Sequence, residues 1–369
     1  MRSFRQTILT SEQRQLFARF WRSASESLQT EKTWFIALAV FLVVLVLLQL
    51  LVQVLLNLWN RNFFNALGRR DGHALWIQVQ LFVPLAATSI LLTATSVWGR
   101  MTATRNWREA LTRHVLRRWL DRERFRRLNH HIVKGSENPE YRIVVDIRIA
   151  TDAPVDLTLA LLSSVLTSLT FFGVLWSIGG SITMTVAGLT LTIPGYLVFG
   201  VIIYSSIVSA LMVVFGHHMT SVIERKNQSE AEFRAAADAF RAEAEGAQAN
   251  TGDADKRDTL QLKLQATLLW WREFLWQTVR TTLVSYGNFL FAPVVAWFLC
   301  APKYLAGVMT LGELTQAAAA FVVVQGAFNW LVDNYQRLAD WRSSVHRVAT
   351  LLLALDELER KEAGAGQPG

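Results

Sequence analysis

The sequence predicts an all-α integral membrane protein, with six transmembrane helices and long helical extensions outside the bilayer. Three observations carry this. About half of the 369 residues are apolar, and they gather in runs near the ~20 residues that a helix needs to cross a bilayer. The charges lie between those runs. Ten arginines, from Arg100 to Arg127, fall in one stretch between two runs. Each would cost roughly 2.5–3.5 kcal/mol at the bilayer centre, so this stretch leaves the membrane.

The formal charge of +8 does not point to nucleic acid. The basic residues collect in particular connecting segments, which is orientation information in a membrane protein and places the basic arms in the cytoplasm. The single Cys300 excludes an internal disulfide and a cysteine metal site. The opening MRSFRQTILTSEQRQLF has no short apolar core followed by a small-residue cleavage site, so no cleaved signal peptide is expected.

Taken in order, residues 10–30 read as an amphipathic helix. Leu16, Phe17, Phe20 and Trp21 share a face flanked by Arg14, Arg19 and Arg22. Such a helix suits the membrane surface or the side of a helical bundle. The first span covers Trp34 to Trp59, with tryptophans at both ends as interfacial belts require. Its polar exceptions, Gln49, Gln53 and Asn57, recur every four residues and so share a face, followed by Asn60. GRRDGH turns the chain. The second span, Leu75 to Trp98, contains Pro84 and runs into the arginine arm, expected as one long helix up to the break at KGSENP. After KGSENP, Asn138 is placed to cap a helix with Pro139 at its first position. This short helix carries Glu140, Arg142, Asp146 and Arg148. Asp152 and Pro154 mark the start of the third span, Val155 to Ile178, which ends at GGS.

The fourth span is expected from Ile182 to Phe215, kinked at Pro194-Gly195. It leads into a second arm, helical by its Ala/Glu/Arg content and broken near Asn250–Asp253. The fifth span covers Trp276 to Cys300 and the sixth Glu313 to Tyr335. The helical pattern then continues to Lys361, before AGAGQPG. Six spans put both termini in the cytoplasm. The organisation expected is a cytoplasmic amphipathic segment (1–30), a six-helix membrane domain (31–340) and a cytoplasmic extension (341–369), with no nucleotide-binding domain.

Gln325, Asn329 and Asp333 repeat the four-residue spacing on the sixth span. Polar groups in hydrocarbon are costly unless they meet partners or water. Two such stripes predict the walls of a wet central cavity. Hydrogen bonds between helices, ~0.6–2 kcal/mol each, are the alternative. Glu273 and Arg280, seven apart, share a face and suggest an ion pair to a neighbouring helix. His130-His131 and His217-His218 have no acidic or cysteine cluster beside them, so no metal site is expected. The sequence contains no G-x-x-x-x-G-K-[ST], G-x-S-x-G or H-E-x-x-H motif. These residues therefore supply no catalytic group and no cradle for ATP phosphates.

SENPEYRIVVDIRIATDAPVDL resembles the NPDQRI-x-x-DI segment of ABC-type permeases of the peroxisomal fatty-acyl class and their bacterial relatives. LNLWNRNFFNALGRRD and GVMTLGELTQAAAAFVVVQGAFNWLVDNY resemble stretches of the SbmA/BacA-like peptide transporters. The matches run in order from about residue 30 onward. Glu140 and Tyr141 stand where Asp and Gln are usual.

The resemblance implies an ABC exporter-type transmembrane domain in the bacterial inner membrane, working as a homodimer by alternating access. It implies a peptide or another large hydrophilic solute as cargo. It also implies that the helix after KGSENP, with Glu137, Asn138, Pro139, Arg142 and Asp146, couples the membrane domain to an ATPase. These residues supply no cofactor site of their own, so ATP and Mg would enter through a partner or fused nucleotide-binding domain. Three energy sources fit the resemblance: a separate ATPase subunit, the ATPase of a fused transporter, or the proton gradient, with Asp146, Glu273 and Asp333 as carboxylates. A non-transporting membrane scaffold is the reading from another class.

Overall fold

The computed structural model describes residues 11–28, 32–130, 138–186, 189–246 and 253–365. The chain forms α1 (Ser11–Leu28), α2 (Lys32–Gly68), α3 (Gly72–Leu120), α4 (Arg124–His130) and α5 (Pro139–Gly179). A hairpin of β1 (Ser181–Val186) and β2 (Leu189–Pro194) follows. The rest comprises α6 (Tyr196–Gly216), α7 (Met219–Gly246), α8 (Asp253–Leu305), α9 (Leu311–Phe328) and α10 (Trp330–Ala365). Among the described residues, six helical stretches are long and apolar enough to cross a membrane, the sixth reading from α9 into α10. The protein is an all-α membrane domain whose spans extend into helical arms.

The chain divides into two compact units, residues 1–171 with 333–369, and residues 172–332. In the first, α2 and α3 form an antiparallel pair through the short turn at Arg69–Asp71. Asp71 caps α3, its Oδ1 accepting from the Ala74 amide at 3.0 Å. Trp59 donates to the Gln78 carbonyl at 2.8 Å and its ring lies tilted against Phe82, centroids 4.7 Å apart. Leu42 lies so close to Gly99 that a side chain there would force it aside. On α2, Ile36, Val40, Val44, Leu47 and Leu51 are exposed, as a surface solvated by lipid requires.

Beyond the spans, one apolar core gathers Phe20 and Ala24 of α1, Leu111 and Val115 of α3, Leu128 of α4, Ile143, Ile147 and Ala150 of α5, and Val345 to Leu358 of α10. The amphipathic N-terminal helix is thus packed on the bundle through Phe17 and Phe20, while Trp21 stays outside against Trp107.

In the second unit, α6, α8 and α9 pack together, burying Leu197, Val201, Ala292, Ala296, Ala317, Ala320, Phe321 and Val324. The antiparallel α7 and the start of α8 make the second arm. Thr267 donates to the Ser229 carbonyl at 3.2 Å, Lys263 pairs with Glu232 at 2.7 Å and Trp271 donates to Glu230 at 2.8 Å. The break expected at 250–253 falls largely outside the described residues.

Four expectations are corrected. The fourth span begins at Tyr196 rather than Ile182, because Ser181–Pro194 is a β-hairpin pairing Thr183 with Thr192 and Thr185 with Thr190. Pro194-Gly195 is therefore no mid-helix kink. Gly195 precedes α6 at φ +61° with the Trp176 ring against its Cα, a place for glycine alone. The arginine arm is not one helix to Arg127. Arg122 and Glu123 adopt positive φ and turn the chain between α3 and α4.

The short helix after Asn138 does not stop before the third span. It passes through one π-turn at Arg142–Asp146 and continues unbroken. Pro154 sits inside it because the carbonyl that a proline deprives of its partner, that of Ala150, accepts instead from the Trp341 indole at 3.3 Å.

Candidate functional site

Pro139 is buried at the first position of α5, where its missing amide costs nothing. Asn138 occupies the position before it in left-handed geometry and makes no side-chain cap. This corrects the expected capping role. Asparagine stands there because it tolerates that conformation. Glu137 lies outside the described residues.

Arg142 and Asp146 are four residues apart and both turn inward to one residue of α10. Asp146, fully buried, accepts from Arg347 Nε at 2.8 Å and Nη2 at 2.6 Å. Arg142 donates to the Arg347 carbonyl at 3.2 Å. Arg347 also donates to Ser343 and Ser344, and its hydrogen bonds to the Asp146 carboxylate hold its guanidinium above the usual arginine range. Glu140, Tyr141, Val144 and Arg148 point the other way and are exposed. The start of α5 thus has an anchored face and an open face.

The arginine arm finds partners that sequence reasoning missed. Arg118 binds Asp356 at 2.6 Å and Glu359 at 2.8 Å. Arg124 binds Glu359 at 2.9 Å and Glu362 at 2.8 Å. Arg19 of α1 closes on Asp356 with two contacts, the longer 2.6 Å. The signal was available: the acidic run from Asp356 to Glu362 follows an apolar stripe, opposite in sign to the arm. Arg347 carried no comparable signal.

The polar stripe of the first span lies in the first unit. Gln49 is half-buried and donates to the Leu92 carbonyl of α3 at 3.3 Å. Gln53 is half-buried, Asn57 buried, and Asn60 half-buried with its Oδ1 enclosed and without a hydrogen bond. In the second unit, Gln325 is buried and its Nε2 has no partner among the described residues. α9 ends three residues later, where Asn329 interrupts the helix while its amide donates to the Gln325 carbonyl at 3.3 Å. Asp333, in the first unit, is exposed. Glu273 and Arg280 are both exposed and form no ion pair among the described residues, so the expected pairing is absent there.

Residues 27–305 match the model of the family described as ABC transporter transmembrane region 2. The chain belongs to this family. It is similar to the "Inner membrane ABC transporter ATP-binding protein YddA" of Escherichia coli (strain K12), 26% identical over 323 residues, covering 84% of this chain and 56% of that protein. It is also similar to an "Uncharacterized ABC transporter ATP-binding protein sll0182" of Synechocystis sp. (25% identical; 85% of this chain, 46% of that protein). A third relative is an "Uncharacterized ABC transporter ATP-binding protein" of Haemophilus influenzae (20% identical; 97% of this chain, 60% of that protein). The chain thus spans about half the length of the curated relatives it matches. The family match covers the first five spans and both arms, while α10 lies beyond it.

Proposed function

We propose that the chain is the permease of an ABC-type transporter of the inner membrane, moving peptides or other large hydrophilic solutes by alternating access and powered by an ATPase domain or subunit. The family match over residues 27–305 carries this reading. The relatives' printed names, ATP-binding proteins, favour ATP over the proton gradient. A symmetric pair of copies encloses the pathway, and the basic arms and both termini lie in the cytoplasm.

Hydrophilic cargo is supported by amides on otherwise apolar helices. Gln53, Asn57, Asn60, Gln325, Asn329 and Asp333 line the path, and Gln49 on the same stripe also braces the wall through the Leu92 carbonyl. The start of α5 passes the ATPase's movement to the bundle. Its exposed face meets the ATPase, and Arg142 and Asp146 transfer the push to α10 through Arg347. The specific kinship with SbmA/BacA-like peptide transporters belongs to this reading.

The test is uptake of a labelled proline-rich peptide into proteoliposomes, with ATP and the cognate ATPase in one arm and a pH gradient in the other. ATP-dependent uptake that falls at least tenfold in Asn329→Leu/Asp333→Leu supports the reading. Unchanged uptake in that variant removes the stripe from the pathway. Uptake driven by the pH gradient alone replaces the ATPase with protons.

A further inference from the structure

We propose that α8 carries a headgroup site for an acidic phospholipid, on a stripe formed by Arg272, Trp276 and Arg280. The inference rests on α8 as a bilayer-crossing helix but not on any cargo, and its readout is lipid binding rather than transport. α8 is unbroken from Asp253 to Leu305, so positions 272, 276 and 280 rise along one face at four-residue steps. All three are exposed. Trp276 is 54% exposed and its neighbours Leu275, Val279 and Leu283 are exposed too, Leu283 at 69%. An indole among apolar neighbours at the end of a span belongs at the headgroup level.

Neither Arg272 nor Arg280 has a hydrogen-bond or ion-pair partner among the described residues. Two cations of the facing arm are engaged instead: Lys226 lies over the Trp271 ring and pairs with Glu230, and Arg225 lies over Trp270. Four residues of helix are about 6 Å long. Arg280 thus roots about that far on the apolar side of Trp276, and Arg272 as far on the aqueous side. Side chains on a helix lean toward its N-terminus, here the aqueous end, and arginine stems reach on the order of 6 Å, so the Arg280 guanidinium comes up to the indole's level while Arg272 stands on the headgroup side of it.

An unpaired guanidinium rooted in hydrocarbon is costly unless it reaches the interface and an anion. The anion abundant at that depth is the lipid phosphate, whose geometry suits the guanidinium fork. Glu273 is also exposed and lies with Arg272 on the aqueous side. The stripe still holds one net positive charge, so an acidic headgroup is favoured over a zwitterionic one.

The experiment is native mass spectrometry of the full chain in detergent, with equal amounts of phosphatidylglycerol and phosphatidylcholine. Wild type is expected to retain phosphatidylglycerol preferentially. Arg280→Gln and Arg272→Gln should each cut retention about fivefold, equivalent to ~1 kcal/mol, whereas Arg280→Lys keeps most of it. Arg234→Gln, at an exposed arginine of α7 away from the span, should leave retention unchanged. Circular dichroism and elution volume report whether each variant is folded.

Equal retention of both lipids, or retention unaffected by either glutamine variant, overturns the proposal. Displacement of the lipid by millimolar inorganic phosphate would show a bare phosphate site instead of a lipid site. Efficient cross-linking of Arg280→Cys to a second copy would show that another protomer covers the stripe.

Discussion

At the scale of single residues, the pair formed by Asp146 and Arg347 is asymmetric, and the asymmetry is testable. The Asp146 side chain is fully buried, whereas that of Arg347 is 39% exposed. Removing the arginine strands a carboxylate in a dry place, and breaking a buried pair in this way costs about 3–5 kcal/mol. Removing the acid leaves a guanidinium that still reaches water. Arg347→Ala should therefore lower the unfolding temperature of the purified protein clearly more than Asp146→Asn, with Arg347→Lys between them because it loses the two-pronged contact. Equal losses would show that the pair is hydrated. Only half of this pair was legible in the sequence. Asp146 stood out in NPEYRIVVDI, but nothing in the spacing of RSSVHRVAT singled out Arg347 from its neighbours, because its role depends on which face of α10 meets α5.

At the scale of elements, Asp356, Glu359 and Glu362 form a clamp that ties α1, α3 and α4 to α10 through Arg19, Arg118 and Arg124. Burial alone would raise the Asp356 carboxyl, but the hydrogen bonds and charges of Arg19 and Arg118 outweigh it and hold the group below the usual carboxylate range. The hydrogen bond from Arg124, the largest influence on Glu362, does the same there. A group depressed on folding contributes stability above its unfolded value, and that contribution is lost as pH falls through the folded one. The contribution of the clamp should be complete near neutral pH and decline below about pH 4. Arg118→Met should flatten that decline and lower stability at pH 7, measured by thermal unfolding across pH 7 to 3.

The hairpin taught the opposite lesson about legibility. SITMTV and LTLTI alternate between threonine or serine and apolar residues, a two-residue period that marks strands. Their average apolarity, continuous with the run after Tyr196, concealed that period inside an overlong helix. Gly195→Ala should destabilise the second unit by about 1–3 kcal/mol, because it needs both a left-handed backbone and the space that the Trp176 ring fills.

At the scale of the whole molecule, the chain passes between its two units twice, at Phe171/Phe172 within α5 and at Val332/Asp333 within α10. The ring of Phe172 meets that of Phe328 edge-on, centroids 6.0 Å apart. Both passages lie beside a weak point of the helix. Gly173 follows the first, while Gly326 and the interruption at Asn329 precede the second. Hydrophobic periodicity shows where helices run and conceals where they are allowed to bend, which is why six spans were legible from the sequence and two units were not. A methyl group added at Gly173 or Gly326 would meet nothing within 4 Å, so the substitution carries no steric cost. Replacing glycine by alanine inside a helix stabilises it by about 0.5–1 kcal/mol. Gly173→Ala/Gly326→Ala should therefore raise the unfolding temperature. If alternating access bends the chain at these two points, the same variant should slow solute uptake severalfold without changing the concentration at half-saturation. A variant that is more stable and equally fast would place the bending elsewhere, because the added methyl groups meet nothing within 4 Å and the change removes backbone freedom.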